Sequence, residues 1–132
     1  DYVKEYKPNQ IIIHGDRVET LAGVIVAALN NIPSVHIEGG EVSGTIDELI
    51  RHAVSKLATF HCVSNQDAKD RLLQMGESDD KITILGSPDV DVMLSGNLPD
   101  IKKVKMHYDI PYDKYIILLF QLSLFLQKVH HQ

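Results

Sequence analysis

Apolar and polar positions follow two distinct rhythms along the chain. Ile11 to Ile13 form a short β-branched run that Gly15-Asp16 interrupts. Val18 to Leu29 is a longer stretch, rich in Ala, Val and Leu, with the length of a helix. Asn30, Asn31 and Pro33 punctuate the chain before Ser34 to Ile37 resumes as a strand. Residues 11–37 thus read as strand, helix, strand, close to the shortest right-handed crossover between parallel strands. The helix is apolar nearly all round, as expected of one enclosed by neighbouring structure.

A second unit repeats the pattern. The segment Glu38-Gly39-Gly40-Glu41-Val42-Ser43-Gly44 is too rich in glycine for either regular structure and reads as a loop. Thr45 is predicted to cap a helix, with Glu48 closing a capping box. Ile46, Leu49, Ile50, Ala53, Val54, Leu57 and Ala58 then recur at three- and four-residue steps on one face, with Glu48, Arg51, His52 and Ser55 opposite. Thr59 to Val63 reads as a strand. Ser64 with Asp67 predicts another capping box, for a helix reaching about Met75 and stopping at Gly76. Lys81 to Leu85 is a further strand, and Gly86-Ser87-Pro88 the turn after it.

Four short strands, apolar on both faces, therefore alternate with three helices. This order predicts an α/β fold in three layers, with a parallel sheet covered by helices. An antiparallel sandwich is the alternative, opposed by the helical periodicity of the connectors. Past residue 88 the pattern loosens. Short helices are predicted over Asp89 to Leu94 and Ile101 to His107, and a strand over Tyr115 to Phe120. Residues 116–126 (IILLFQLSLFL) form an apolar run with no later unit to cover it, which favours self-association.

Composition narrows the class. A length of 132 residues allows one domain of ordinary size, and 44% hydrophobic residues support a packed core. A net charge of -5 argues against a basic nucleic-acid surface. One Cys excludes an internal disulfide scaffold and a multi-cysteine zinc motif, and fits a reducing compartment. The opening DYVKEYKPNQ lacks the apolar core of a signal peptide, and no stretch reaches the roughly 18–20 apolar residues that span a bilayer. The expectation is a soluble, cytoplasmic protein with neither nucleic acid nor membrane as partner.

Ligands of parallel α/β sheets bind beyond the carboxyl ends of the strands. Two strands end alike, in His14-Gly15-Asp16-Arg17 and in His36-Ile37-Glu38-Gly39-Gly40, so each delivers a histidine and a carboxylate to one rim. Glu48, in the first turn of the next helix, is a third acid near that rim, with Asp47 beside it. Carboxylates held together raise one another's pKa, which makes a proton carrier for neutral pH. The simpler uses are an N-cap for Asp16 and backbone amides of the glycine turn for Glu38. Gly39, Gly40 and Gly44 admit close approach of a ligand, although the segment is neither a phosphate loop nor a dinucleotide motif. Arg51 and His52 are placed to neutralise a phosphate or carboxylate, or Arg51 pairs with Glu48 on a solvated face. His14, Asp16, His36 and Glu38 also suit zinc or manganese, without the close histidine pair such sites favour. Cys62, inside an apolar strand, reads as a buried thiol.

The segments HGDR at 14–17, HIEGGEVSGTIDELIRHAVSKLA at 36–58 and GSPDVD at 86–91 resemble the UDP-N-acetylglucosamine 2-epimerase family. The form GGEVSGTIDE is similar to the hydrolysing branch, which makes N-acetylmannosamine and UDP for sialic-acid-type sugars. The resemblance implies two Rossmann-like domains facing across a cleft, as in B-type glycosyltransferases. Residues 1–91 would be the later part of the first domain, and 92–132 a linker and the start of the second. It further implies catalysis by Asp16, Glu38 and Glu48, and substrate contacts from His14, Arg17, Gly39, Gly40, Ser43, Arg51 and His52. The reaction would expel UDP by elimination across C1 and C2, with water adding to the resulting glycal. Neither a metal nor a cofactor is implied. The partners are UDP-N-acetylglucosamine and UDP, with a homo-oligomer expected of the intact protein.

The sequence departs from the family in three places. Nothing before residue 11 supplies the family's glycine- and arginine-containing loop, Gln121 followed by LSLFLQKVHHQ stands where a histidine segment is expected, and the glycine- and serine-rich UDP-binding loop further on is missing. A truncated or shifted ending is the expected cause, and the 132 residues alone are expected to show little or no turnover. The alternatives are the non-hydrolysing branch, a sugar-nucleotide-binding glycosyltransferase-like fragment without epimerase activity, and a structural module that associates through residues 116–126.

Overall fold

The computed structural model describes residues 2–118. The chain forms two compact units, one built on residues 2–87 and one on residues 88–118. The order in the first is α1 (Tyr2–Tyr6), β1 (Ile11–His14), α2 (Val18–Leu29), β2 (Ser34–Ile37), α3 (Ile46–Leu57), β3 (Phe60–Val63), α4 (Gln66–Gln74), a 3₁₀ turn (Asp79–Lys81) and β4 (Ile82–Ile84). The second unit holds α5 (Pro88–Leu94) and α6 (Ile101–His107). Helix α1 and the 3₁₀ turn were not foreseen in the sequence; α1 buries none of its residues, so no apolar period marks it.

The four strands are all parallel and lie in the order β1-β2-β3-β4. The register aligns Ile13, His36, His61 and Ile82 in one row across the sheet, and all four are buried. Ile13 packs with Val24 of α2 and Val54 of α3, while Ile82 and Val63 pack with Ala68 and Leu72 of α4. The parallel α/β architecture is the one expected. Of the three layers expected, residues 2–87 supply two clearly: right-handed crossovers through strands in sequential order put α2, α3 and α4 on one side. On the opposite face Ile12 and Phe60 are exposed, and Val35, Ile37 and Cys62 are half-buried. The thiol is therefore on the open side of the sheet rather than in the core.

Helix ends correct two capping assignments. Asn65, not Ser64, caps α4, its side chain accepting from the Ala68 amide at 2.8 Å. Thr45 stands at the N-cap of α3 without a side-chain cap bond. Its hydroxyl donates to Asp47 at 3.2 Å instead, so the Thr45–Glu48 capping box does not form. In the second unit both helices stand where expected. The strand expected from Tyr115 is not formed over residues 115–118, and the remainder of that strand and of the 116–126 run lies outside the described residues. Among the described residues, no helix is long and apolar enough to cross a membrane.

Candidate functional site

His14 of β1 and Ile37 of β2 are register partners, so the chain leaves these neighbouring strands side by side. The Gly15 amide still donates to the Ile37 carbonyl at 3.1 Å, which carries the pairing one residue past the strand. Asp16 follows on one side and Glu38 on the other. Glu38 has a φ of 63°, a left-handed conformation unusual for a side chain with a Cβ. Its amide donates to the Cys62 carbonyl at 2.8 Å, extending the next strand pairing and holding that turn. Such a backbone outlier at the mouth of a sheet is a familiar mark of a functional position.

The charged groups at this rim form three pairs. His14 Nε2 lies 2.8 Å from Glu38 Oε2, with the histidine half-exposed and the carboxylate partly shielded. Arg51 of α3, only 9% exposed, donates through one guanidinium nitrogen to the Asp16 carboxylate. Its other terminal nitrogen donates to the Glu41 carbonyl at 2.8 Å. Asp16 is thus not the N-cap of α2, a position Arg17 occupies, and Arg51 does not pair with Glu48. One guanidinium instead fixes both the loop after β1 and the glycine loop after β2.

Glu48 serves the glycine loop as well. Its Oε2 accepts from the amides of Ser43 at 2.8 Å and Gly44 at 2.7 Å. Those two bonds hold its carboxyl below the usual range, because they favour the charged form. His52 Nε2 lies 4.0 Å from the other oxygen of Glu48. Ser43 is therefore tied inward through its amide, and through its hydroxyl, 3.1 Å from that of Thr45. Arg17 departs from this cluster: it is exposed and lies 3.6 Å from Glu19.

Gly39 and Gly40 are buried, and their bare backbones are used for packing. A Cβ on Gly39 would stand 2.9 Å from both His36 Nδ1 and Ser55 Oγ. A Cβ on Gly40 would strike the Ala68 carbonyl in α4. Helix α4 also grips the loop with two side chains, Arg71 donating to the Gly40 carbonyl and Asn65 to Glu41 Oε1 at 2.8 Å. Sequence reasoning missed Asn65, Arg71 and Ser55. Their partners lie 19 to 31 residues away, and no periodicity encodes contacts at that separation.

The set His14, Asp16, His36 and Glu38 does not converge as a metal centre. His36 is buried with both ring nitrogens engaged, His14 is bonded to Glu38, and Asp16 to Arg51. Among the described residues, no group of three or more His, Cys, Asp or Glu side chains could hold a metal ion. What the rim presents is a histidine–carboxylate pair beside a second carboxylate held by a buried arginine. That arrangement can bind a polar ligand and pass protons to it.

Comparison with known proteins bears on the family of the chain. The family model described as UDP-N-acetylglucosamine 2-epimerase matches residues 1–121. The chain is 52% identical over 116 residues to a UDP-N-acetylglucosamine 2-epimerase of Neisseria meningitidis serogroup B, covering 88% of this chain and 31% of that protein. It is 41% identical over 112 residues to a hydrolysing UDP-N,N'-diacetylbacillosamine 2-epimerase of Legionella pneumophila, covering 85% and 30%. Among solved structures, it is similar to a Neisseria meningitidis UDP-GlcNAc 2-epimerase bound to UDP-GlcNAc. There the TM-score is 0.72 at 28% identity, over 83% of this chain and 31% of that one. The chain spans about 31% of the length of these proteins.

Proposed function

The chain belongs to the UDP-N-acetylglucosamine 2-epimerase family, and from that we propose that its sheet rim is one wall of the active site of a hydrolysing epimerase. The observation that carries this reading is the side-by-side exit of Asp16 and Glu38 from adjacent parallel strands, one paired with Arg51 and the other with His14. The similarity to a hydrolysing relative supports the choice of branch.

In this reading the substrate is UDP-N-acetylglucosamine. A base removes the weakly acidic proton at C2 while the C1–oxygen bond to UDP breaks, leaving a double bond between C1 and C2. Water then adds, hydroxyl to C1 and a proton to C2 from the opposite face, giving free N-acetylmannosamine. Both steps need a group that holds a proton and one that gives it back. Asp16 and Glu38 are the proposed proton-handling pair. The His14–Glu38 couple places an imidazole nitrogen 2.8 Å from the carboxylate, a contact through which a proton can pass. Glu48 is the third proposed carboxylate and acts by fixing the 43–44 turn from which α3 begins. Arg51 and His52 are the groups proposed to lie beside the departing diphosphate. His14 is proposed to complete the substrate surface, with Ser43 and the outlying Arg17 at its edge, while the buried Gly39 and Gly40 shape the loop beneath it.

Residues 1–91 are assigned to the later part of a first Rossmann-like domain, and 92–132 to a linker and the start of a second, in a B-type glycosyltransferase arrangement. The whole protein is assigned as a homo-oligomer. In support, α2 exposes Val18, Ile25 and Leu29 and α3 exposes Ile46, Leu49 and Leu57, each set at helical spacing.

Incubation of the full-length protein with UDP-N-acetylglucosamine in ¹⁸O-enriched water tests the function. A hydrolysing epimerase releases UDP and free N-acetylmannosamine labelled at C1. Production of UDP-N-acetylmannosamine without net UDP release would assign the non-hydrolysing branch, and tight binding with neither product would assign a binding module. The 132 residues by themselves are expected to release no more than stoichiometric UDP, because an effective site needs both walls of the cleft.

A further inference from the structure

His36 lies in the buried row of the sheet, its side chain fully enclosed. Its Nε2 stands 2.9 Å from the Gly15 carbonyl, and a carbonyl only accepts, so the ring proton is on Nε2. Nδ1 is then bare and accepts from the Ser55 hydroxyl at 3.0 Å. Burial pulls the pKa of His36 from 6.5 to about 4, which keeps the ring neutral and this one tautomer in place. A histidine that only filled the core would have no reason to touch both strand-end loops. This one does. Its Nε2–H holds the carbonyl of Gly15, whose amide is held by Ile37, so both polar groups of the residue before Asp16 are fixed by β2. On the other edge of the ring, Gly39 packs so closely that a Cβ would stand 2.9 Å from Nδ1, and Gly39 follows Glu38.

We propose that His36, keyed to Ser55 of α3, is a positioning residue that sets the placement of Asp16 against Glu38 by bracing the loops after β1 and β2. It touches no substrate and transfers no proton. The proposal rests on the reading of Asp16 and Glu38 as the proton-handling pair, and its test separates the two.

Three variants of the chain serve the test: His36→Leu, which fills space but donates nothing; His36→Gln, whose side-chain amide reaches the Gly15 carbonyl; and Ser55→Ala, which frees Nδ1. The ligand-free readouts are hydrogen exchange at the Gly15 amide and the carboxyl ¹³C titration of Asp16. His36→Leu is expected to speed that exchange about tenfold, the factor expected for loss of one neutral hydrogen bond, and to alter the Asp16 titration. His36→Gln is expected to restore both to within about twofold. In a protein that releases UDP, His36→Leu lowers kcat about tenfold or more with KM nearly constant, and His36→Gln recovers it. Should His36→Leu not fold, Ser55→Ala decides: Nε2 stays protonated on the Gly15 carbonyl, the Nδ1 ¹⁵N resonance should shift as its hydrogen bond is lost, and Gly15 exchange should rise as the ring loses its anchor. Wild-type exchange and titration in a folded His36→Leu chain, or unchanged Gly15 exchange in Ser55→Ala, would overturn the proposal. Failure of the full-length enzyme, with both walls of the cleft present, to release UDP would overturn the functional reading alone.

Discussion

Arg51 of α3 and Asp16 at the end of β1 form a shielded ion pair that joins elements 35 residues apart in sequence. The pair locks the loop carrying one proposed catalytic acid to the helix that follows the other. Removing the cation leaves Asp16 charged and poorly solvated. Arg51→Leu is expected to destabilise the fold by about 2–3 kcal/mol, while Asp16→Asn, which still accepts from the guanidinium, costs about 1 kcal/mol. Urea denaturation of the two variants checks the ranking, and equal midpoints would count against a structural ion pair.

Glu38 is expected to matter for turnover rather than affinity. In the whole enzyme, Glu38→Gln should lower kcat by about 10²-fold or more with little change in KM, since the amide keeps the shape but carries no proton. His14→Gln, which preserves a hydrogen bond to Glu38 but not its proton exchange, should give a smaller loss. Unchanged rates of UDP release in both variants would remove the His14–Glu38 couple from the chemistry.

The glycine loop gives a stability contrast between two left-handed glycines. Gly40 has a φ of 79° and abuts the Ala68 carbonyl, whereas Gly44 has a φ of 68° and open space. Gly44→Ala is expected to cost about 1 kcal/mol, the strain of that backbone region alone. Gly40→Ala adds a collision with backbone and should cost about 3 kcal/mol or more. Thermal unfolding of the pair separates strain from collision.

Acid should weaken the fold within a window set by two buried histidines. Burial lowers His36 to about 4, and burial lowers His61 as well, despite Glu77 at 3.4 Å. The unfolded chain therefore takes up protons, between pH 6.5 and about 4, that the folded chain refuses. Unfolding free energy falls as pH drops through that window and is level above it. His36 alone accounts for about 3 kcal/mol across the range. Glu48 acts lower: its contribution is present above its ordinary 4.5 and is lost as pH falls through its depressed folded value. A urea midpoint constant from about pH 7 to about pH 5 would contradict the histidine assignment.

Self-association is the last expectation. Leu49→Glu places a charge in the middle of the exposed apolar row of α3, at a side chain that is itself 65% exposed. Sedimentation should show a shift of the assembled protein toward monomer with the fold intact. A sedimentation profile identical to wild type would move the interface elsewhere.

Local rhythm made the elements legible. Helix α2, strand β2 and helix α6 run between the residues that periodicity and turn chemistry marked, because those signals act within four residues. Capping was read less well, since Ser64 and Asn65 are both competent and only the loop geometry chooses Asn65. The acids at the strand ends were also legible, as strand ends in a parallel sheet share a rim. Their partners were not. That Asp16 is held by Arg51, Glu38 by His14, and both loops by His36 follows from contacts across 19 to 35 residues. By itself the sequence determined a parallel α/β sheet, its family and the candidate carboxylates. Only the tertiary structure decided which of these charges are paired, because pairing depends on how strands and helices meet in space.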